Sequence, residues 1–153
     1  MDRLKRNIEH LLIQLVIFVA LYFVFSKLLN MIYIFGWLSH INNIWIYFGI
    51  MVIALVFTYF DMKYIGYGIT FGHLIGSFIG YFAGTIMQKI NMAKILETTD
   101  PQTIARLNTN HGVPIWLVCI LLGALFGWLH GIRKNRKARK LEAKKLKESE
   151  KHA

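Results

Sequence analysis

The side chains in this sequence that could do chemistry lie inside or directly beside long apolar segments. A histidine that titrates near neutral pH can relay protons, and together with a carboxylate it can coordinate a metal ion. Because charged groups are costly within a membrane, ionisable residues found there mark functional sites by default. The candidates for a polar path, a proton site or a metal site are Glu9, Asp61, His73, Ser77, Tyr81 and His130.

The spacing of these candidates does not match a catalytic or metal-binding pattern. None of the patterns H-x-x-x-H, C-x-x-C and E-x-x-H occurs, and the single cysteine, Cys119, excludes a disulfide within the chain. His73 and Ser77 lie one helical turn apart, but no third residue orients them and no oxyanion donor is visible. We therefore predict no enzymatic activity, no cofactor and no metal. For His73 we favour a partly buried, hydrogen-bonded role in helix contact.

Glycine recurs at every fourth position of the third apolar segment. This ridge consists of Gly68, Gly72, Gly76, Gly80 and Gly84. Four residues advance a helix by roughly 400°, so these glycines wind slowly round one side as a shallow groove. In lipid, small residues permit the close van der Waals contact that holds helices together. We predict that the third helix packs tightly against the fourth, or against another copy of itself. The matching glycines of the fourth segment are Gly123, Gly127 and Gly131.

A polar stripe adjoins the glycine ridge on the third segment. Its members recur at steps of three and four residues and are Thr70, His73, Ser77, Tyr81 and Thr85. Because polar groups that face lipid are costly, we expect the stripe to face protein or water. Two interpretations stay open. The stripe lines a path across the membrane, or its hydroxyls bond to carbonyls of their own helix while Tyr81 simply packs.

Four apolar segments are long enough to cross a membrane, which takes roughly 17–25 residues. We predict spans at about 11–34, 44–60, 68–87 and 115–132, all within one transmembrane domain at 11–132. No cleavage signal follows the first segment, so we interpret it as a retained anchor helix. The predicted fold is an all-α integral membrane protein with four transmembrane helices. Whether residues 28–38 belong to the first span or lie along the membrane interface stays open.

Positive charge predicts the orientation of this bundle. The net charge of +10 is concentrated towards the two ends of the chain. With both termini in the cytoplasm, 14 of the 18 Lys and Arg residues lie inside, as positive-inside membrane proteins require. Tryptophan is enriched at membrane boundaries, and this topology places Trp37, Trp45 and Trp116 at the outer one. It also places a set of polar residues near the inner leaflet, namely Glu9, His10, Gln14, Asp61, His73 and His130.

Three segments lie outside the predicted spans. They are a basic cytoplasmic N-terminus at 1–10, an extracytoplasmic loop at 88–114 and a basic cytoplasmic tail at 133–153. In the loop, Asp100 as N-cap and Pro101 as first helical residue predict a short surface helix. The tail is rich in helix formers and is expected to extend the fourth helix. Each of its basic residues could add about 1 kcal/mol to binding of anionic lipid head groups. Sequence-specific nucleic-acid binding is not expected, since the tail lacks aromatic side chains for stacking.

These features favour a small non-catalytic membrane protein that acts as an accessory, immunity or assembly subunit through helix packing. The expected partners are the bilayer, anionic lipid head groups at the tail, and either a second copy or another membrane protein. The alternative is a homo-oligomeric channel, small-solute transporter or holin-like pore lined by the third helix. The expected location is the cell membrane. The frequent use of Ile, Asn and Lys is typical of an AT-rich bacterial genome, so we expect this membrane to be a bacterial cytoplasmic membrane.

Overall fold

The chain folds into helices joined by short turns. The structure is a computed structural model that describes residues 2–96 and 99–151, with the side chains of residues 7–96 and 99–143. No strand forms within these residues. The elements are α1 (Asp2–Phe23), a π-helical turn that continues it (Val24–Leu28), α2 (Tyr33–Ser39), α3 (Ile44–Tyr59), α4 (Lys63–Met92), α5 (Pro101–Leu107) and α6 (Gly112–Lys151).

Three of the helical stretches are long and apolar enough to cross a membrane, and they are built on α1, α4 and α6. Together, α2 and α3 would make a fourth span, bent by 80° at the break between them. An all-helical chain with three to four such stretches is consistent with a multi-pass membrane protein. The segments predicted at 44–60, 68–87 and 115–132 lie on α3, α4 and α6, and the last two helices extend beyond the predicted bounds.

The structure differs from the first predicted span, 11–34. The helix ends in the π-helical turn at Leu28, and the chain turns before α2 begins. In this turn the carbonyl of Asn30 approaches Gly36 so closely that a Cβ at Gly36 would collide with it. The short helix α2 then buries three apolar side chains in the bundle, those of Ile34, Phe35 and Leu38. Residues 33–38 of the segment whose placement the sequence left open therefore belong to a separate helix with one buried face.

Contacts between helices show which of their ends lie together. In the middle of α1, Gln14 shares a hydrogen bond with Thr58 near the end of α3. At the start of α4, Tyr64 packs against His130 of α6. Four regions therefore lie together at one end of the bundle. They are the first half of α1, the end of α3, the start of α4 and the part of α6 where its apolar stretch ends. We name this region the basic end, after Lys63, Arg133 and Lys134.

The turn between α3 and α4 is a Schellman motif with Asp61 at its centre. The Met62 N–H donates to the Phe57 carbonyl over 2.9 Å, and the Asp61 N–H donates to the Thr58 carbonyl over 3.1 Å. These two bonds are the ones that close a helix in this motif. Asp61 has a φ of 66°, in the left-handed region that only Gly, Asn and Asp adopt readily. The position of this ionisable residue therefore has a structural explanation.

Two local predictions for the second half of the chain are confirmed. The Asp100 carboxylate accepts a hydrogen bond from the Thr103 N–H over 2.9 Å, and Pro101 opens the short helix α5. The helix α6 runs without a break from Gly112 to Lys151, so the tail does extend the last apolar helix. The described tail side chains, those of residues 133–143, are all exposed.

Candidate functional site

The most extensive contact between helices in the described chain joins α4 to α6. At the centre of this contact the two backbones touch. A Cβ on Gly68 would collide with the Gly123 carbonyl, and a Cβ on Gly123 would collide with the Gly68 carbonyl. Nearer the basic end, a Cβ on Gly127 would collide with the Tyr64 carbonyl. Because no side chain fits at these positions, the close approach of the two helices requires glycine there.

The contact continues along α4 away from the basic end. A Cβ on Gly72 would lie 2.8 Å from the Cys119 carbonyl oxygen, and one on Gly76 would lie 2.6 Å from the Cys119 Cβ. A Cβ on Gly80 would lie 2.5 Å from the carbonyl oxygen of Gly112, at the start of α6. A Cβ on Gly84 would lie 2.6 Å from the backbone nitrogen of the same residue, Gly112. All five glycines of the α4 ridge therefore face α6 or the turn before it.

The sequence pattern overlooks one partner in this contact and includes one position that packs differently. Gly112 faces Gly80 and Gly84, but it lies off the four-residue repeat of the other α6 glycines. The sequence indicates a role for Gly112 only through its position just after His111 and two residues before Pro114, near the start of a helix. Gly131 meets the side chain of Tyr64 alone, at an ordinary van der Waals distance of 3.4 Å from its ideal Cβ. An alanine therefore fits at Gly131 without displacing α4.

His73 lies at the centre of the bundle, enclosed by aromatic rings from four elements. Its imidazole is fully buried, with 0% exposure. It stacks on Phe18 of α1, with 5.3 Å between ring centroids, and lies edge-on to Tyr47 of α3, at 4.9 Å. Phe25 in the π-helical turn and Trp116 of α6 complete the enclosure at 5.9 and 5.6 Å. This side chain therefore contacts every long helix that packs against α4.

The hydrogen bond of His73 defines its tautomer. The indole Nε1–H of Trp116 donates to His73 Nδ1 over 3.1 Å. Since an indole nitrogen can only donate, Nδ1 carries no proton and the neutral ring is protonated at Nε2. Among the described residues and their side chains, Nε2 has no hydrogen-bond partner. Trp116 is also fully buried, so it packs inside the bundle. Its place beside His73 is visible only in three dimensions.

Two more buried polar contacts lie beside this aromatic enclosure. The Tyr47 hydroxyl donates to the Phe18 carbonyl over 2.6 Å. The Thr58 hydroxyl donates to Gln14 Oε1 over 3.0 Å, while Gln14 Nε2 has no partner among the described residues. Sequence reasoning did not assign these α3 residues to the site. The available signal is their spacing, since Tyr47, Ala54 and Thr58 lie on one helical face.

Three other members of the polar stripe, Thr70, Ser77 and Tyr81, bond within their own helix or pack. The hydroxyls of Thr70 and Ser77 donate to carbonyls four and three residues earlier on α4, over 2.9 and 2.8 Å. Tyr81 is half-buried and packs against Phe35 of α2, with 6.1 Å between ring centroids. Both hydroxyls therefore have acceptors inside the helix, as the structural interpretation of the stripe requires.

A second polar cluster lies at the basic end. The Lys63 ammonium donates to His10 Nε2 over 3.1 Å, which leaves the His10 proton on Nδ1, 3.0 Å from the Tyr67 hydroxyl. His130 lies edge-on to Tyr64, with 5.1 Å between ring centroids. The cluster joins the starts of α1 and α4 to α6 by polar and aromatic contacts.

The structure does not bring the predicted candidates into one site. Glu9, Asp61 and His130 are exposed and belong to the basic end. His73 lies ten residues along α4 from Lys63, or about 15 Å at the helical rise, and so lies away from the basic end. In the described part of the chain, no group of three or more His, Cys, Asp and Glu side chains could hold a metal ion. Comparison with known protein families, curated proteins and solved structures finds no match for this chain.

Proposed function

We propose that this chain is a non-catalytic multi-pass membrane protein that acts as an accessory, immunity or assembly subunit through helix packing. The observation that carries the proposal is the enclosure of His73. Aromatic rings surround this histidine, and its Nδ1 is bonded to Trp116. A side chain held in this way stabilises the packing of the helices against one another. It offers neither a nucleophile nor an open proton path.

The contact between α4 and α6 supports the same function. In lipid, helices gain little from burying apolar surface, so close backbone contact has to supply the attraction. The glycine ridge of α4 meets Gly112, Gly123 and neighbouring residues of the same chain. A partner subunit therefore has to bind elsewhere, on the outer faces of the helices. One such face is a stripe of exposed side chains on α1, consisting of Leu12, Val16, Val19 and Phe23.

The proposed location is the cytoplasmic membrane of a bacterium, with the basic end facing the cytoplasm. The start of α4 and the beginning of the tail meet at this end through Tyr64 and His130. The basic residues of the chain are concentrated there, and positively charged segments remain on the cytoplasmic side during insertion. The tail then lies where anionic lipid head groups can attract it.

Photo-crosslinking in native membranes tests this proposal. A photoreactive amino acid replaces one exposed residue on each outer helix face, Val16, Val52 or Leu121, and replaces Gln102 in the loop as a control. We expect at least one membrane position, but not the loop position, to give a single adduct with a different membrane protein. The purified chain should be a monomer in mild detergent. A ladder of adducts between copies of this chain would contradict the accessory function.

A homo-oligomeric channel, small-solute transporter or holin-like pore is the second candidate, and one observation favours it. The buried nitrogens His73 Nε2 and Gln14 Nε2 have no partners among the described residues. Because an unsatisfied buried donor is destabilising, a state in which water or an anion accepts a hydrogen bond from these atoms would be favoured. Ion or solute flux into liposomes that contain the chain, abolished by His73→Phe, would support a pore. Absence of flux for the unmodified chain would reject it.

A further inference from the structure

We propose that one anionic phospholipid binds in the open groove along the outer side of the seam between α4 and α6, with an acyl chain lying over this seam and its phosphate at Arg133. A groove of about 690 Å³ lies there. Its floor is formed by glycines of both helices, and we name it the α4–α6 groove. Its walls include Phe71 and Ile75 of α4 and Leu122 and Phe126 of α6.

The shape of the groove suits a single acyl chain. The floor glycines have no side chains, so the neighbouring apolar side chains stand above it on both sides. These wall residues are exposed, Phe71 to 51% and Phe126 to 67%, and the buried His73 is not part of the groove lining. In a membrane such a surface faces lipid, and its open side admits a chain laterally from the bilayer.

The length of the groove matches one leaflet. The lining extends along α6 from Cys119 to Arg133, which is fourteen residues or about 21 Å at the helical rise. One leaflet with its head-group region measures roughly 20–22 Å, half of the full bilayer thickness. A phospholipid with its acyl chain on the floor therefore has its head group beside Arg133.

The charge at the mouth of the groove selects an anion. Arg133 and His130 of α6 line this end. The residues one turn from Arg133 on α6 include further basic residues, Arg136 and Lys137, and no carboxylate. A guanidinium binds a phosphate through two parallel hydrogen bonds. A second copy in the same orientation would bring its own basic end to this place, so charge favours a lipid over a second copy.

Native mass spectrometry of the full chain in detergent tests the head-group part of the proposal. The chain is mixed with phosphatidylglycerol or phosphatidylcholine, and the fraction of lipid-bound protein is measured. We expect one phosphatidylglycerol to be retained in preference to phosphatidylcholine. Arg133→Gln should weaken its binding about fivefold, whereas the control Arg136→Gln, which removes an equal charge outside the groove, should bind nearly as the unmodified chain does.

A second pair of variants tests the acyl-chain part. Leu122→Trp fills the α4–α6 groove, and Leu121→Trp places the same ring on the adjacent residue outside it. We expect only Leu122→Trp to abolish lipid retention, with unchanged circular dichroism for both. Equal losses from Arg133→Gln and Arg136→Gln would overturn the proposal in favour of diffuse attraction to the tail. Equal retention of the two lipids, or a dimer that Leu122→Trp disrupts, would also overturn it. These outcomes do not depend on whether crosslinking finds an accessory partner, so the lipid proposal and the proposed function can fail separately.

Discussion

The indole nitrogen of Trp116 lies 3.1 Å from Nδ1 of His73, and this bond joins the first turns of α6 to the middle of α4. Both side chains are fully buried, so water cannot replace either partner. The glycines allow the backbones of α4 and α6 to approach each other closely. The hydrogen bond then helps to set which residues of the two helices face each other. The contact between α4 and α6 therefore combines a steric fit with a directional bond.

Removing the indole donor should destabilise the bundle. Trp116→Phe leaves His73 Nδ1 buried without a donor, and an unsatisfied buried acceptor costs about 1–3 kcal/mol. The free energy of unfolding in mixed detergent micelles, followed by circular dichroism, measures the loss. The control is Trp45→Phe, since Trp45 is 77% exposed and has no such role. Equal stability of the two variants would contradict a structural role for the bond.

The glycine contact predicts that alanine substitutions at two positions of α6, one helical turn apart, differ sharply in their effect on stability. Gly127→Ala should separate the helices and lower the free energy of unfolding, because its Cβ collides with the Tyr64 carbonyl. Gly131→Ala should leave stability nearly unchanged, because its Cβ meets only a side chain at 3.4 Å. The same unfolding measurement compares them. A large loss for Gly131→Ala would show that the helices pack in a different register.

The turn at Asp61 predicts a dependence of stability on backbone conformation. Asp61→Asn should keep the fold, because asparagine adopts the left-handed conformation readily. Asp61→Val should be less stable by about 1–2 kcal/mol, since a β-branched residue is strained at a φ of 66°. Unfolding in micelles gives both values. If Asp61→Asn were as unstable as Asp61→Val, the carboxylate itself would be required.

The cap of α5 predicts a change with pH. Hydrogen bonds from the Thr103 side chain and N–H lower the pKa of the exposed Asp100 carboxyl below its usual value of 3.8. A carboxyl with a lowered pKa in the folded state stabilises that state above the usual pKa, and the contribution is lost as the pH falls through the lowered value.

Protection of the Thr103 amide against hydrogen exchange measures this cap. We expect protection at neutral pH and its loss in acid, at a pH below 3.8. In the Asp100→Asn variant, a neutral cap accepts the same bond, so protection should no longer change as the pH falls through this range. Acid-induced loss of equal size in both proteins would assign the effect to another group.

Local patterns in the sequence predict local structure well in this chain. Asp100 and Pro101 mark the start of α5, and the helix formers of the tail predict the extension of α6. Apolar length identifies the helices that could cross a membrane. These features depend on residues that are close together in the sequence, so they can be predicted without knowing how the helices pack.

The composition of the buried site could not be predicted in the same way. The aromatic enclosure of His73 draws Phe18, Phe25, Tyr47 and Trp116 from four separate elements. Each of these is an ordinary residue for an apolar helix, and only the packing of the bundle distinguishes it. The break after Leu28 is also hidden, because it depends on the close approach of Asn30 to Gly36 and not on a proline.

The unbroken course of α6 makes the tail a rigid strut. From Ile132 to Lys151 the helix extends about 28 Å at the helical rise. A flexible linker of the same length would sample many positions, but a strut holds its far end at one distance and one rotation relative to the bundle. Each backbone position along it therefore has a defined distance from the bundle. Removing a single residue from the strut would turn everything beyond it by about 100°.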